Sequence, residues 1–353
     1  MSCRHFFRVL SVISGLSIAA LSQSVTLNLP RDSQHSVLTQ RIGITDITIN
    51  YHRPLVKGRK IWGGVVPYGD VWRAGANENT TIQFTDPVSI EGKSLDKGVY
   101  GLHMIPGETE WTVIFSKNYT SWGAFTYKQA EDALRVAVKP QPAEFHEALS
   151  YDFDDVKPNA TVATLRWEKV AVPFKIEVNT NQIVEDNLHN QLRGLAQYTW
   201  EGWDDAANYL LTNKVNLDEA LLYTSKSLEN EERYENLMTR SRILTALNRN
   251  EEAATAKKQA LAKANAIQLH TYARGLQNEG KQAEAIQVFQ ENAKKNPDQW
   301  IVHVGLSRMY CAQGDFPKAS QEMATAISGA PDPQKQPLQG LAKRPQAKED
   351  INK

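Results

Sequence analysis

Residues 278–297 read NEGKQAEAIQVFQENAKKNP and residues 312–331 read AQGDFPKASQEMATAISGAP. Placed one above the other, Gly280 and Gly314, Ala285 and Ala319, Phe289 and Met323, and Pro297 and Pro331 each differ by 34 positions. The glycine ends one helix, the alanine lets the next pack closely, and the proline breaks it, which makes a unit of two antiparallel helices. Fainter copies come earlier: LNRNEEA puts Ala253 in the alanine place and VNLDEA puts Ala220 there. The spacings from 220 to 253, 285 and 319 are then 33, 32 and 34. One such hairpin cannot bury its apolar face alone, so the pattern predicts hairpins stacked on one another over residues 215–332.

From Val215 to Pro331 the chain resembles the tetratricopeptide repeat, most specifically in its last two copies. That resemblance implies a helical solenoid whose concave face binds a protein partner. Arg242, Arg274 and Arg308 each stand eleven residues before Ala253, Ala285 and Ala319. In tetratricopeptide proteins this place on the first helix points into the groove, so the resemblance implies a guanidinium from each of three repeats along it. Guanidinium forks suit carboxylates through bidentate, charge-assisted hydrogen bonds. The groove is therefore expected to take a protein partner or an acidic peptide segment, with His270 and Gln277 flanking the arginines. The alternative is that each arginine pairs with a nearby glutamate or covers apolar surface with its stem.

Outward from the repeats, residues 179–214 read as a linker and capping helices, WEGWDDAANYLL (200–211) among them. Residues 333–353 are polar and rich in Pro, Gln and Lys, which predicts a disordered tail. Before residue 180 the composition changes. ITDITINY, TTIQF, GVYGLHMI, EWTVIFS, LRVAVKP, ATVATLRWEKV and VPFKIEV show alternating or continuous apolar runs, with turn signals such as EGKSLDKG and PGETE between them. Residues 25–178 are thus predicted to form a mainly β domain, an antiparallel sandwich or barrel, with a mixed α+β domain as the alternative. One helix-like insert, YKQAEDAL from Tyr127, interrupts it. SYDFDDVKPN reads as an acidic turn between strands.

The first residues, MSCRHFFRVLSVISGLSIAALSQS, carry Arg4 and Arg8 ahead of an apolar stretch and a small-residue cleavage site near 22. Residues 1–22 read as a secretory signal, and the protein is expected to be exported to the periplasm or outside the cell. No later segment is apolar enough to span a bilayer. After cleavage only Cys311 remains, which excludes an internal disulfide. Lys+Arg and Asp+Glu are both 40, a balance that argues against nucleic acid as a partner.

VPYGDVWRAGANENTTIQF (66–84) concentrates aromatics, a lone arginine and two glycines. With YHRPLVKGRKIWGG before it, and IEGKSLDKGVYGLHMIPGETEWTVIFSK and WGAFTYKQAEDALRV after it, the run resembles exported bacterial proteins of the domain-of-unknown-function family 2911. The resemblance implies an exported β-rich domain and no established activity. Trp72, Arg73, Asn77, Glu78 and Tyr127 are candidate contacts for a small-molecule or glycan ligand, in a largely apolar pocket with a few convergent polar groups. The same residues also admit a structural account, in which the tryptophans are core and Arg73 pairs with Glu78, Asp70 or Glu110.

Catalytic signatures are missing: there is no G-x-S-x-G, H-E-x-x-H, phosphate loop or dinucleotide fingerprint. His52, His103 and His146 lack metal-ligand spacing, and His103 is expected to alternate out of its strand. Neither a metal nor a cofactor is predicted. The expected function is a noncatalytic binding or scaffolding protein; the alternative is a hydrolase or carbohydrate-binding protein with its site around Arg73, Asn77 and Glu78.

Overall fold

The computed structural model describes residues 29–352; the expected secretory signal lies outside them. The chain divides into two compact units between Val178 and Asn179.

The first unit is two antiparallel sheets. Strands β1 (Gln34–Ile42), β2 (Thr45–Arg53), β3 (Thr81–Phe84), β6 (Gly98–Ile105), β7 (Trp111–Ser116) and β8 (Asp132–Val138) lie side by side in that order. The other sheet runs β5 (Lys93–Leu95), β4 (Val88–Ile90), β10 (Ala160–Glu177), β9 (Gln141–Lys157). Period-two alternation sets which face is buried: Ile47, Ile49 and Tyr51 of β2 all point inward. Rings from the two sheets meet in the core. Phe115 of β7 meets Phe174 of β10 edge-on at 6.0 Å, and Tyr51 of β2 meets Tyr151 of β9 at 4.8 Å. The sheets therefore pack face to face as a sandwich. One end of the core is a tryptophan cluster in which Trp62 touches Trp72, Trp111 and Trp167 at 5.8, 4.9 and 5.7 Å.

Three local expectations differ from what forms. The helix-like stretch after Tyr127 gives only a 3-10 turn, Gln129–Glu131, before β8 begins at Asp132. Pairing with β7 and burial of Val136 and Val138 outweigh the helical propensity of a short segment. SYDFDD is not a turn but the outer part of β9, where Asp152 and Asp154 face Arg166 of β10 across the ladder. Opposite charges on adjacent strands explain how three nearby acids sit in a strand. His103 is buried, not turned outward.

The second unit begins with α1 (Thr180–Gln191) and α2 (Trp200–Asn213), followed by α3 (Leu217–Asn230), α4 (Tyr234–Ala246) and α5 (Asn250–Lys263). Then come α6 (Ala266–Asn278), α7 (Gln282–Lys295), α8 (Trp300–Ala312), α9 (Phe316–Gly329) and α10 (Asp332–Gln346). α2 with α3, α4 with α5, α6 with α7 and α8 with α9 form hairpins. The repeat positions behave alike. Asn248, Gly280 and Gly314 sit in the turns of the last three hairpins with φ of 61°, 77° and 79°, a conformation that glycine and asparagine tolerate. Five residues later Ala253, Ala285 and Ala319 are buried where the second helix crosses the first. In two of these hairpins a serine of the first helix latches the second: Ser241 Oγ donates to the Ala253 carbonyl at 2.8 Å, and Ser307 Oγ to the Ala319 carbonyl at 2.7 Å.

The expected disordered tail is a further correction. Residues 332–346 form α10, although Pro337 and Pro345 lie inside it. Leu338 and Ala342, with Ile351 beyond the helix, pack onto a cluster containing Met323 and Ala326 of α9. α9 otherwise has no hairpin partner to cover that face, so a sparse apolar stripe at helical spacing is enough to order a polar segment.

Candidate functional site

The conspicuous stretch at 66–84 is a strand interrupted by a corner. Trp72 pairs with Met104 of β6 through both backbone bonds at 2.8 Å. Pairing along β6 resumes at Thr80 and continues through β3. Between them residues 73–79 leave the ladder. Ala74 (φ 49°) and Asn77 (φ 58°) make the turn. Gly75 is pressed against the chain: a Cβ there would lie 2.4 Å from Thr80 Oγ1. The buried Ala74 carbonyl accepts from Tyr151 Oη at 2.8 Å and from Thr80 Oγ1 at 3.1 Å, so the corner is tied to the other sheet.

This corner separates the five candidate side chains. Trp72 and Arg73 line a cavity of about 830 Å³. Asn77 is not in that lining and donates to the carbonyl of Ser33, which is, at 3.4 Å. Glu78 is already paired, with Arg31 at 2.6 Å and His52 at 3.5 Å; the Arg31 hydrogen bond is the main cause of its lowered pKa. Tyr127 donates to Asp132 Oδ2 at 2.6 Å and stands beside the buried His103 ring. Its phenol pKa is raised, first by burial and then by that carboxylate.

Arg73 differs from the pairing expected of it. Among the described residues it has no ion pair with Glu78, Asp70, Glu110 or any other carboxylate. Its Nε is buried without a hydrogen-bond partner, and its guanidinium lies over the Trp122 ring at 5.5 Å. Burial pulls its pKa down, against the attraction of Glu78. Gly123 permits the close approach, since a Cβ on it would stand 2.7 Å from Arg73 Nη1. Lys57 and Arg59, from the run VKGRK, and Phe125 and Trp167 also line the cavity. The basic run was visible in the sequence, but nothing in its spacing tied it to a residue fourteen positions on.

In the helical unit, Arg274 and Arg308 converge while Arg242 stands apart. Arg242 of α4 donates to Asn208 Oδ1 at 3.0 Å and Thr239 Oγ1 at 3.2 Å, in a recess also lined by Asp204 and Glu235. Arg274 of α6 donates to Gln277 Oε1 at 2.8 Å. Arg274 Nη1 and Arg308 Nη1 both reach Asn352 Oδ1, at 3.4 and 3.3 Å, and Arg308 also reaches the Ile351 carbonyl at 3.1 Å. Asn352 returns a bond from its amide to the Arg308 carbonyl at 2.9 Å. The chain's own Ile351 and Asn352 therefore lie on the two arginines.

Burial holds the Arg308 pKa down at about 10, with Arg274 as the second cause and Asp350 opposing it. His270 is not a groove contact in the same sense: its ring packs 5.6 Å from Phe289, and Gly305 leaves the room it needs. Burial first, then Arg308 and Arg274, lower its pKa to about 4, so it is neutral near pH 7. Gln277 supplies the acceptor that orients Arg274.

Among the described residues, no group of three or more His, Cys, Asp or Glu side chains is placed to hold a metal ion. No described helix is long and apolar enough to cross a membrane.

The fold is thus a β-sandwich followed by helical hairpins. Residues 33–176, less than half of the chain, match the family described as "Protein of unknown function (DUF2911)". No curated protein matches the chain. Among solved structures, the chain is similar to one described as "Crystal structure of YrrB: a TPR protein with an unusual peptide-binding site". The identity is 14%, the TM-score 0.28, and the alignment covers 47% of this chain and 86% of that one.

Proposed function

We propose that the protein is a noncatalytic binding protein whose helical unit takes an extended acidic segment of a protein partner along Arg274 and Arg308. The single observation that supports this reading is the seating of Ile351 and Asn352 on the guanidinium groups, Arg308 meeting a main-chain carbonyl and both arginines the Asn352 side-chain oxygen. Such contacts are those that an extended peptide offers. Arg308 is held where its charge is poorly solvated, and a carboxylate in place of the Asn352 amide would satisfy it better, because charge-assisted bonds are about twice as strong as neutral ones. The signal-like residues 1–22 support an exported setting for this encounter.

The test is a titration of a fluorescent peptide bearing Asp and Glu flanking an apolar residue, against the full chain. Arg274→Gln and Arg308→Gln are each expected to weaken binding about tenfold or more, consistent with loss of a charged hydrogen bond. Arg242→Gln is expected to change it less than threefold, since that side chain has local partners and does not meet the seated tail. Equal effects of all three variants, or none, would contradict the reading.

A further inference from the structure

A cavity in the β-sandwich carries a reading independent of the peptide proposal. The cavity beside the 73–79 corner carries three cations, Lys57, Arg59 and Arg73, and two carboxylates, Asp32 and Asp70. Most of these are already engaged. Lys57 pairs with Asp32 at 3.1 Å, and Arg59 donates to the Leu55 and Val56 carbonyls at 2.6 and 3.1 Å. Arg73 alone among the three cations has neither an ion pair nor a hydrogen bond within the described residues. The lining therefore carries one positive charge in excess; of its two cations without a counter-ion, Arg59 and Arg73, only the half-buried Arg73 also lacks hydrogen bonds. A desolvated charge without a partner is destabilising, and the open cavity in front of it is where a partner would enter.

The apolar part of the lining limits what that partner is. Trp72 and the buried Trp167 are stacked at 5.9 Å, 17° from parallel, and both border the cavity. At the mouth Phe125 is 82% exposed, and it stacks 16° from parallel on Trp122, the ring that supports Arg73. Large aromatic rings left in water beside an unpaired guanidinium make a platform for a flat face. Asp70 and Ser33 supply polar groups within the same lining.

We propose that this cavity binds a monocarboxylated sugar of the hexuronic acid class. Its carboxylate lies against Arg73, its C–H face against the aromatic rim, and its hydroxyls toward Asp70 and Ser33. One excess positive charge fits a carboxylate better than a phosphate dianion, and the flat rim favours a ring over a compact inorganic ion.

The experiment is ligand-observed NMR on the full chain with sodium galacturonate, neutral galactose and inorganic phosphate as probes. Galacturonate is expected to bind and the other two to bind at least about tenfold more weakly. Arg73→Gln should weaken galacturonate binding by about tenfold or more. Phe125→Ala, at an exposed position that should leave folding intact, is expected to weaken it several-fold through lost stacking. Failure of galacturonate to bind would overturn the proposal. So would phosphate or galactose binding as tightly, or both variants retaining wild-type affinity. Because these probes and residues lie in the β unit, none of these outcomes bears on the peptide titration.

Discussion

His270 is an imidazole enclosed by α7 and α8 with two guanidinium groups close to it, and every one of those neighbours opposes its protonation. Its folded pKa is about 4, below the usual value of about 6.5 for an unfolded chain. Between those values the unfolded state takes up a proton that the folded state refuses, so stability is intact above about pH 6.5 and falls as pH drops toward 4. The loss at full effect is on the order of 3 kcal/mol. Urea unfolding of wild type and His270→Gln at pH 7 and pH 4.5 checks this: the stability advantage of wild type should shrink at the lower pH. An unchanged difference would refute it. Gly75 yields a second prediction. A methyl group there meets Thr80 Oγ1 in a buried corner, so Gly75→Ala should cost about 1–3 kcal/mol, read from the same unfolding curves. At this scale the sequence was informative about residue types and poor about partners. Glu78 was a reasonable mate for Arg73 five residues away, yet Arg31, 47 positions upstream, took it. Long-range pairing of that kind leaves no local trace.

Among the elements, the hairpins were the most legible because their constraints are local. A positive-φ turn, a small residue at the crossing and a proline after the second helix each impose a residue type at a fixed offset. The hydroxyl latch tests how much the hairpin depends on such detail. Ser307→Ala removes the bond to the Ala319 carbonyl at a fully buried site and should destabilise by about 1 kcal/mol, seen as a lower urea midpoint. α10 was missed because its composition is that of an unfolded chain, while its few apolar residues lie at helical spacing over an uncovered face of α9. The start of β8, residues 132–134, was read as helix for the complementary reason: pairing with β7, not local propensity, decides its conformation, while LRVAVKP marked the rest of the strand. Of the other strands, β2, β3, β6, β7 and β10 were visible as apolar runs, whereas β1, β4, β5 and β9 were not.

At the scale of the whole molecule, each of the two units holds arginine in a partly buried setting, and on these the two proposed binding sites rest. In the sandwich, Arg73 borders a cavity; in the helical unit, Arg274 and Arg308 are met by Ile351 and Asn352 of the same chain. The central claim concerns that covered pair, and it implies that residues 347–353 compete with any peptide for Arg274 and Arg308. The most direct measurement is the affinity of a labelled peptide, AKEDINK, for the full chain and for a chain ending at Gln346, with circular dichroism confirming that both are helical. The account predicts measurable binding to the shortened chain, at least about tenfold tighter than to the full chain and abolished by Arg308→Gln. Equal affinity for the two chains, or binding to the shortened chain that survives Arg308→Gln, would contradict it.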